Sequence, residues 1–122
     1  MMNYKLFSYT RLKVDKDVFK LYLKYRNALC ALSEDIKEIP LQNFISFKYG
    51  DNSIAGIQIQ QSTLKIVLNA EYGTLKEPKK LFRNMAQIKH HAKGDYQIIV
   101  DGGSDLKYVV GLAKQVLEMN CP

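Results

Sequence analysis

The residues best able to do chemistry in this 122-residue chain lie in a basic segment, residues 76–93. The segment holds six lysines and arginines against one acid, Glu77, for a net charge of +5. Lysine and arginine neutralise phosphates, and an exposed aromatic ring such as Phe82 could stack on a base. The alternative is a solvated basic face with Phe82 in the core. The predicted anion-binding or nucleic-acid-binding residues are Lys79, Lys80, Arg83, Lys89, His90 and Lys93.

The residue types give little support to nucleophilic or metal-dependent catalysis. His90 and His91 are the two histidines and neither cysteine has a catalytic context, so a cysteine–histidine hydrolase is not predicted. His90, His91 and Asp95 form a loop cluster, but adjacent residues rarely converge well on one ion. Neither a metal nor another cofactor is therefore predicted.

An Mg²⁺-dependent nuclease or hydrolase fragment stays open as an alternative. A restriction-type site needs acidic ligands and a lysine near strand ends, because Mg²⁺ prefers oxygen ligands. Asp51, Glu71 and Asp95 could supply the carboxylates and Lys65 the amine. The short Asp…Glu-X-Lys arrangement is absent from the predicted strands, so a binding module without catalytic residues is the favoured interpretation.

Residues 90–95 are typical of a structural loop. Gly94 allows a positive φ, Asp95 can cap loop amides, and His90 can bond a carbonyl. A β-branched strand over 96–100 is predicted to begin immediately afterwards. We therefore expect His90, Gly94 and Asp95 to hold the loop in shape.

Two helical patterns bracket a run of strands. Apolar residues recur every three or four positions over 14–32, and again after Ser104, the predicted N-cap of the last helix. Between them the period changes to two, which predicts an antiparallel meander with one buried and one polar face. A short helix over 79–88 follows the meander. The three predicted strands of the meander are 44–49, 54–60 and 63–68, and 36–40 is predicted as a short strand that Pro40 confines to an edge or a strand end.

These elements predict the α+β class: a mainly antiparallel sheet of about five strands, with the N- and C-terminal helices packed on one face. The length suits a single domain over 1–122. Cys30, in a helical pattern, and Cys121, at the end of the chain, predict unpaired thiols in a reducing cytoplasm. No apolar run approaches the roughly 20 residues of a membrane helix, so no membrane partner is predicted.

Stretches spread over residues 34–118 carry a family resemblance. The matching stretches are Phe44-Ile45-Ser46-Phe47-Lys48, Leu64-Lys65-Ile66-Val67-Leu68-Asn69, the segment 75–81 with its Glu77-Pro78 step, the segment 88–96, and Asp105-Leu106-Lys107-Tyr108-Val109. They resemble the bacterial and archaeal family catalogued as domain of unknown function 5655, whose members are also labelled "predicted transport protein". Members typically carry Gly-His-Trp-Gly-Asn-Gly-Asp at positions 89–95, so His90, Gly94 and Asp95 match, while His91 replaces the tryptophan.

The resemblance indicates in which kinds of protein the domain occurs rather than how it acts. Such domains occur alone or at the C-terminus of larger proteins, including restriction-like and predicted nuclease proteins, which implies an accessory module. With the charge pattern, we expect a non-enzymatic cytoplasmic domain whose partner is DNA or RNA, or a larger restriction- or nuclease-type protein. A protein–protein adaptor that docks by an edge strand or by the aromatic strand 44–49 is the other alternative.

Overall fold

Two helices and six strands make up the computed structural model, which describes residues 16–88 and 92–121. Helix α1 spans Lys16–Cys30, and helix α2 spans Leu106–Met119. The strands are β1 (Ile36–Pro40), β2 (Ile45–Tyr49), β3 (Asn52–Ile59), β4 (Leu64–Leu68), β5 (Arg83–Asn84) and β6 (Tyr96–Val100). The predicted α+β class is confirmed, and the predicted start of the first helix at residue 14 lies outside the described residues.

All pairs of neighbouring strands in the sheet are antiparallel, in the order β1-β2-β3-β4-β6-β5. Strands β2, β3 and β4 form the predicted meander, β1 lies at the edge beside β2 as Pro40 indicated, and β6 joins the meander beside β4. There are six strands instead of about five, because the two-residue β5 pairs with the free edge of β6. Helices α1 and α2 pack against each other and against β3 and β4.

The core lies between the two helices and one face of the sheet. Every second residue of a strand points to the same face, and in β3 and β4 that alternation buries aliphatic side chains. The apolar stripes of both helices meet them at helical spacing. The central core residues are Ala55, Ile57, Ile59, Leu64, Ile66, Leu68, Tyr22, Tyr25, Leu112, Ala113 and Val116.

Neither of the two helices formed by the described residues has the length and apolar content to cross a bilayer. Cys30 and Cys121 are both free thiols, as predicted. Cys30 is half-buried, and this burial raises the pKa of its thiol.

The helix predicted over 79–88 is wrong. The Glu77 carboxylate accepts hydrogen bonds from the backbone amides of Leu81, at 2.8 Å, and Phe82, at 3.3 Å. Lys80 has a φ of +53°, a left-handed conformation that interrupts a right-handed helix. The segment therefore forms turns followed by β5. The Glu77 carboxylate accepts hydrogen bonds from amides that would donate to backbone carbonyls in a helix.

The predicted N-cap of α2 is displaced by one residue. The Asp105 carboxylate, rather than Ser104, accepts from the backbone amide of Tyr108, at 3.2 Å. Ser104 instead closes the preceding turn, where its hydroxyl accepts from the Asp101 amide at 3.0 Å. Aspartate and serine are both good caps, so the sequence pattern alone could not separate the two neighbours.

Two buried tyrosines differ in how their hydroxyls are satisfied. The Tyr96 hydroxyl accepts from the backbone amides of Gly73, at 2.8 Å, and Leu75, at 3.1 Å. The Tyr25 side chain is 1% exposed, and its hydroxyl has no hydrogen-bond partner among the described residues. Burial, followed by the negative charge of two nearby aspartates, raises the pKa of Tyr25 to about 12.

Candidate nucleic-acid interface

The sheet face turned away from α1 and α2, which we call the open face, is positively charged. Paired residues of antiparallel strands point to the same side, so the register and the alternation assign side chains to faces. The open face carries Lys37, Lys48, Lys65 and Arg83. Within the strands that the structure describes, the one acid is Glu38, and it lies on the helix-covered face, where its carboxylate accepts from Arg26 Nε at 3.0 Å.

A pocket of about 390 Å³ lies on the open face over β3, β4, β6 and β5. Its polar lining consists of Gln58, Lys65, Arg83 and Gln97. Gln58 pairs with Lys65 across β3 and β4, and Gln97 pairs with Arg83 across β6 and β5. Each amide side chain therefore lies beside a cationic one.

The four polar side chains of this pocket have no partners among the residues that the structure describes. Within residues 16–88 and 92–121, no hydrogen bond or ion pair joins the side chains of Gln58, Lys65, Arg83 or Gln97 to another group. Gln97 is the most informative of them because the residue is only 6% exposed, while its amide atoms are accessible from the pocket. The pocket thus contains amide donors, amide acceptors and two positive charges that the protein leaves unpaired.

An aromatic ring and a glycine shape the apolar wall of the pocket. Phe44 and Ala92 both approach the backbone of Gly56 in β3. A Cβ at Gly56 would lie 2.8 Å from the Ala92 Cβ and 3.0 Å from the Phe44 Cδ2. Glycine is therefore the residue that lets the ring and the 92–95 loop lie against the sheet. Met85 and Ile88 line the same pocket and extend its apolar surface.

A second depression, of about 260 Å³, adjoins the first and shares Phe44 with it. Lys48 and Lys93 line it, together with one acid, Asp51. Phe44 therefore lies between two groups of basic residues, with Lys65 and Arg83 on one side. The open face combines a central aromatic ring with positive charge on either side.

Of the predicted anion-binding residues, the structure assigns Arg83 and Lys93 to the open face. Lys89 and His90 lie outside the described residues. Phe82, which could have been a stacking ring, is 4% exposed and packs edge-on against Tyr96, with 6.0 Å between ring centroids. The core interpretation of Phe82 is therefore the right one, and Phe44 is the aromatic ring available on the open face.

Neither Lys79 nor Lys80 lines the two depressions of that face. The Lys79 amine is 3.5 Å from an Asp105 carboxylate oxygen and 4.9 Å from the centroid of the Tyr108 ring, at the start of α2. The hydrogen bond from the Tyr108 amide, and then the Lys79 amine, lower the pKa of the Asp105 carboxyl. Lys80 is exposed at its turn. The structure therefore does not bring Lys79 together with Arg83, and a binding role for the six residues stays a prediction.

The 92–95 part of the predicted structural loop is tied to the rest of the fold. Gly94 has a φ of +128°, the positive value that was expected of it. The Asp95 carboxylate accepts from the Tyr72 amide at 3.0 Å, and the Asp95 amide donates to the Ala70 carbonyl at 3.1 Å. Asp95 therefore caps the turn that follows β4, while His90 lies outside the described residues.

The structure bears on both the nuclease alternative and the adaptor alternative. Among the described residues no three His, Cys, Asp or Glu side chains form a group that could hold a metal ion, so Asp51, Glu71 and Asp95 do not converge. For the adaptor alternative, β1 and β5 are the edge strands of the sheet, whereas the aromatic strand β2 lies between β1 and β3. Its Phe47 is buried in the core.

Five residues of the interface were not among the predicted anion-binding residues: Phe44, Lys48, Gln58, Lys65 and Gln97, of which Lys65 was considered only for the nuclease alternative. The signal for two of them was the alternation in β3 and β4, which assigned Gln58 and Lys65 to the polar face. Gln97 lies in a strand of otherwise apolar residues, and only the pairing of β6 with β5 sets it beside Arg83.

The comparisons with known proteins give no function. A protein of Haemophilus influenzae, described only as uncharacterized, is 36% identical over 99 residues. The matched region covers 81% of this chain and 32% of that protein, so the chain spans about a third of the length of this relative. No family model matches the chain, and no solved structure matches it.

Proposed function

We propose that this protein is a non-enzymatic binding domain that holds nucleic acid against the open face of its sheet. The observation that carries the proposal is the set of unpaired basic and amide side chains around Phe44. Lys48, Lys65, Arg83 and Lys93 are positioned to neutralise phosphates, and the strands add no acid to this face. A protein surface that binds nucleic acid without strong sequence preference combines such charge with aromatic rings.

The modular setting supports the same proposal. The similar region makes up about a third of a longer relative, as expected of a domain that is joined to others. The resemblance to domain family 5655 implies the same accessory role beside restriction-like and nuclease proteins. We therefore propose that the domain adds affinity for nucleic acid to a larger protein or complex.

A salt titration of binding tests the proposal. Fluorescence anisotropy with labelled mixed-sequence DNA and RNA should give a dissociation constant of roughly 1–100 µM, with affinity falling steeply as salt rises. Replacing both Lys65 and Arg83 by glutamine should weaken binding and make the log–log salt slope shallower by about 0.7–0.9 per lost phosphate contact. The matched control replaces Lys107 and Lys114, both exposed on α2, and should leave the slope unchanged.

Three results would overturn the proposal. Absence of binding at any salt concentration would favour the protein–protein adaptor. Degradation of the probe after Mg²⁺ is added would favour the nuclease alternative. An equal loss of affinity in the α2 control would mean that net charge, rather than the open face, drives binding.

A further inference from the structure

The open-face pocket contains two amide side chains with nothing to bind. A glutamine amide presents two donors and one acceptor in a single plane, which complements the edge of a nucleobase. Gln58 and Gln97 line the pocket from β3 and β6 without a protein partner among the described residues. Gln97 is almost fully buried, so a group that bonds its amide must enter the pocket.

The wall beside those amides suits a flat aromatic ligand. The Phe44 ring is held against Gly56, and Val67 and Met85 continue the apolar lining. Base–aromatic stacking is favourable for every base, because every base has a π-face. The volume of about 390 Å³ lies within the roughly 300–1,000 Å³ of typical small-molecule sites.

Each amide also has a cation beside it, Lys65 for Gln58 and Arg83 for Gln97. A nucleotide has the same two features, a hydrogen-bonding base edge and a phosphate a short distance away. We infer that the pocket takes one unstacked base of a single strand, with its phosphates on Lys65 and Arg83; this inference rests on the proposed function. A base within a duplex is stacked and paired, so a single strand is the matching form of nucleic acid.

The test compares an intact single strand with a fully abasic strand of the same length. The two carry the same phosphates, so a purely electrostatic surface binds them equally. Wild-type protein should bind the intact strand about tenfold more tightly, and more tightly than a duplex of that sequence. Gln97→Leu should reduce the difference between intact and abasic strands, because the hydrogen bonds to the base are lost, while keeping the salt slope. Gln61→Leu, the same change in an exposed turn, should keep both properties.

Further measurements distinguish the base-binding pocket from the proposed nucleic-acid binding by charge. Gln58→Leu repeats the test at a less buried position, and thermal melts of each variant identify any that fail to fold. Equal, steeply salt-dependent binding of both strands would leave the proposed function standing and overturn the base pocket. Binding of neither strand would overturn both. Displacement of the strand by micromolar mononucleotide would assign the pocket to a free nucleotide and overturn the single-strand inference.

Discussion

Replacing Gly94 by alanine should destabilise the fold by more than the strain of a positive φ at an alanine. Gly94 has a φ of +128°, and a Cβ on it would lie 2.1 Å from the Leu68 carbonyl oxygen and 2.6 Å from the Asn69 Cα. Both atoms belong to the backbone at the end of β4, so no side-chain rotation relieves the contact. The loop or the end of the strand must move.

Movement of the loop endangers the hydrogen bonds of the next residue, Asp95. Its amide bonds Ala70 at 3.1 Å, its carbonyl accepts from Met85 at 2.7 Å, and its carboxylate accepts from Tyr72 at 3.0 Å. Each bond contributes about 1 kcal/mol, and a non-glycine residue at a positive φ adds about 1–3 kcal/mol of strain. With all three bonds lost, Gly94→Ala should cost about 4–6 kcal/mol, a large part of the roughly 5–15 kcal/mol that stabilises a domain.

Gly73→Ala is the matched control. Gly73 also has a positive φ, +99°, but no atom lies within 4 Å of the position of its Cβ. It should therefore show the strain without the backbone clash. Urea unfolding should place Gly94→Ala about 2 kcal/mol or more below Gly73→Ala, and the two melting temperatures should differ by about 8 °C. Asp95→Ala, which removes one acceptor near the surface, should cost only about 1 kcal/mol. Equal stability of the two alanine variants would refute the role assigned to the Leu68 contact.

Three further predictions concern packing and buried hydroxyls. Gly56→Ala should destabilise the fold by about 1–2 kcal/mol, because the added Cβ overpacks the wall of the open-face pocket. Gly111→Ala in α2 adds a Cβ that meets no atom within 4 Å, so it should stabilise the fold by about 0.5–1 kcal/mol. Urea unfolding that changes the stability of both variants in the same direction would contradict this pair of predictions. Tyr96→Phe should cost about 2 kcal/mol, since two backbone amides lose their acceptor, and an unchanged urea midpoint would show that water replaces the hydroxyl. Tyr25→Phe should stabilise by about 1 kcal/mol at neutral pH because it removes an unbonded hydroxyl. Tyr25 loses its proton near pH 10 in the unfolded chain and near pH 12 in the folded chain. The stability of the wild-type protein should therefore fall between pH 10 and pH 12 relative to that of Tyr25→Phe. Parallel pH profiles of stability for the two proteins would contradict the raised pKa of Tyr25.

The regular elements were predictable because their apolar periods are local. The alternation of Ile57 and Ile59 with Gln58 shows in three consecutive residues which side of β3 is buried. The two helical stripes work in the same way over a few turns. These patterns correctly predicted both helices, the meander and the β6 strand, because each depends on residues close together in sequence.

The errors arose where a distant or competing partner decides the structure. Leu81, Phe82, Met85 and Ile88 have helical spacing, but Glu77 takes the amides of Leu81 and Phe82. Two of these side chains then turn to different sides: Phe82 packs in the core against Tyr96, and Met85 lines the open-face pocket. The site was missed for a related reason, because it is assembled by sheet pairing rather than by one basic segment.

The glutamine at position 97 is the strongest physical argument for binding on the open face. On the helix-covered side, the Glu38 carboxylate is bonded by Arg26 and the Tyr96 hydroxyl by two amides, and the Tyr25 hydroxyl is the fully buried side-chain atom that lacks a partner among the described residues. On the open face, Gln97 is 6% exposed and has no partner among the described residues, and its amide atoms are accessible from the pocket that it lines. Stability alone would favour an apolar residue there, since an apolar side chain of similar size needs no hydrogen bond. A ligand that satisfies the amide provides a physical reason for glutamine at this position.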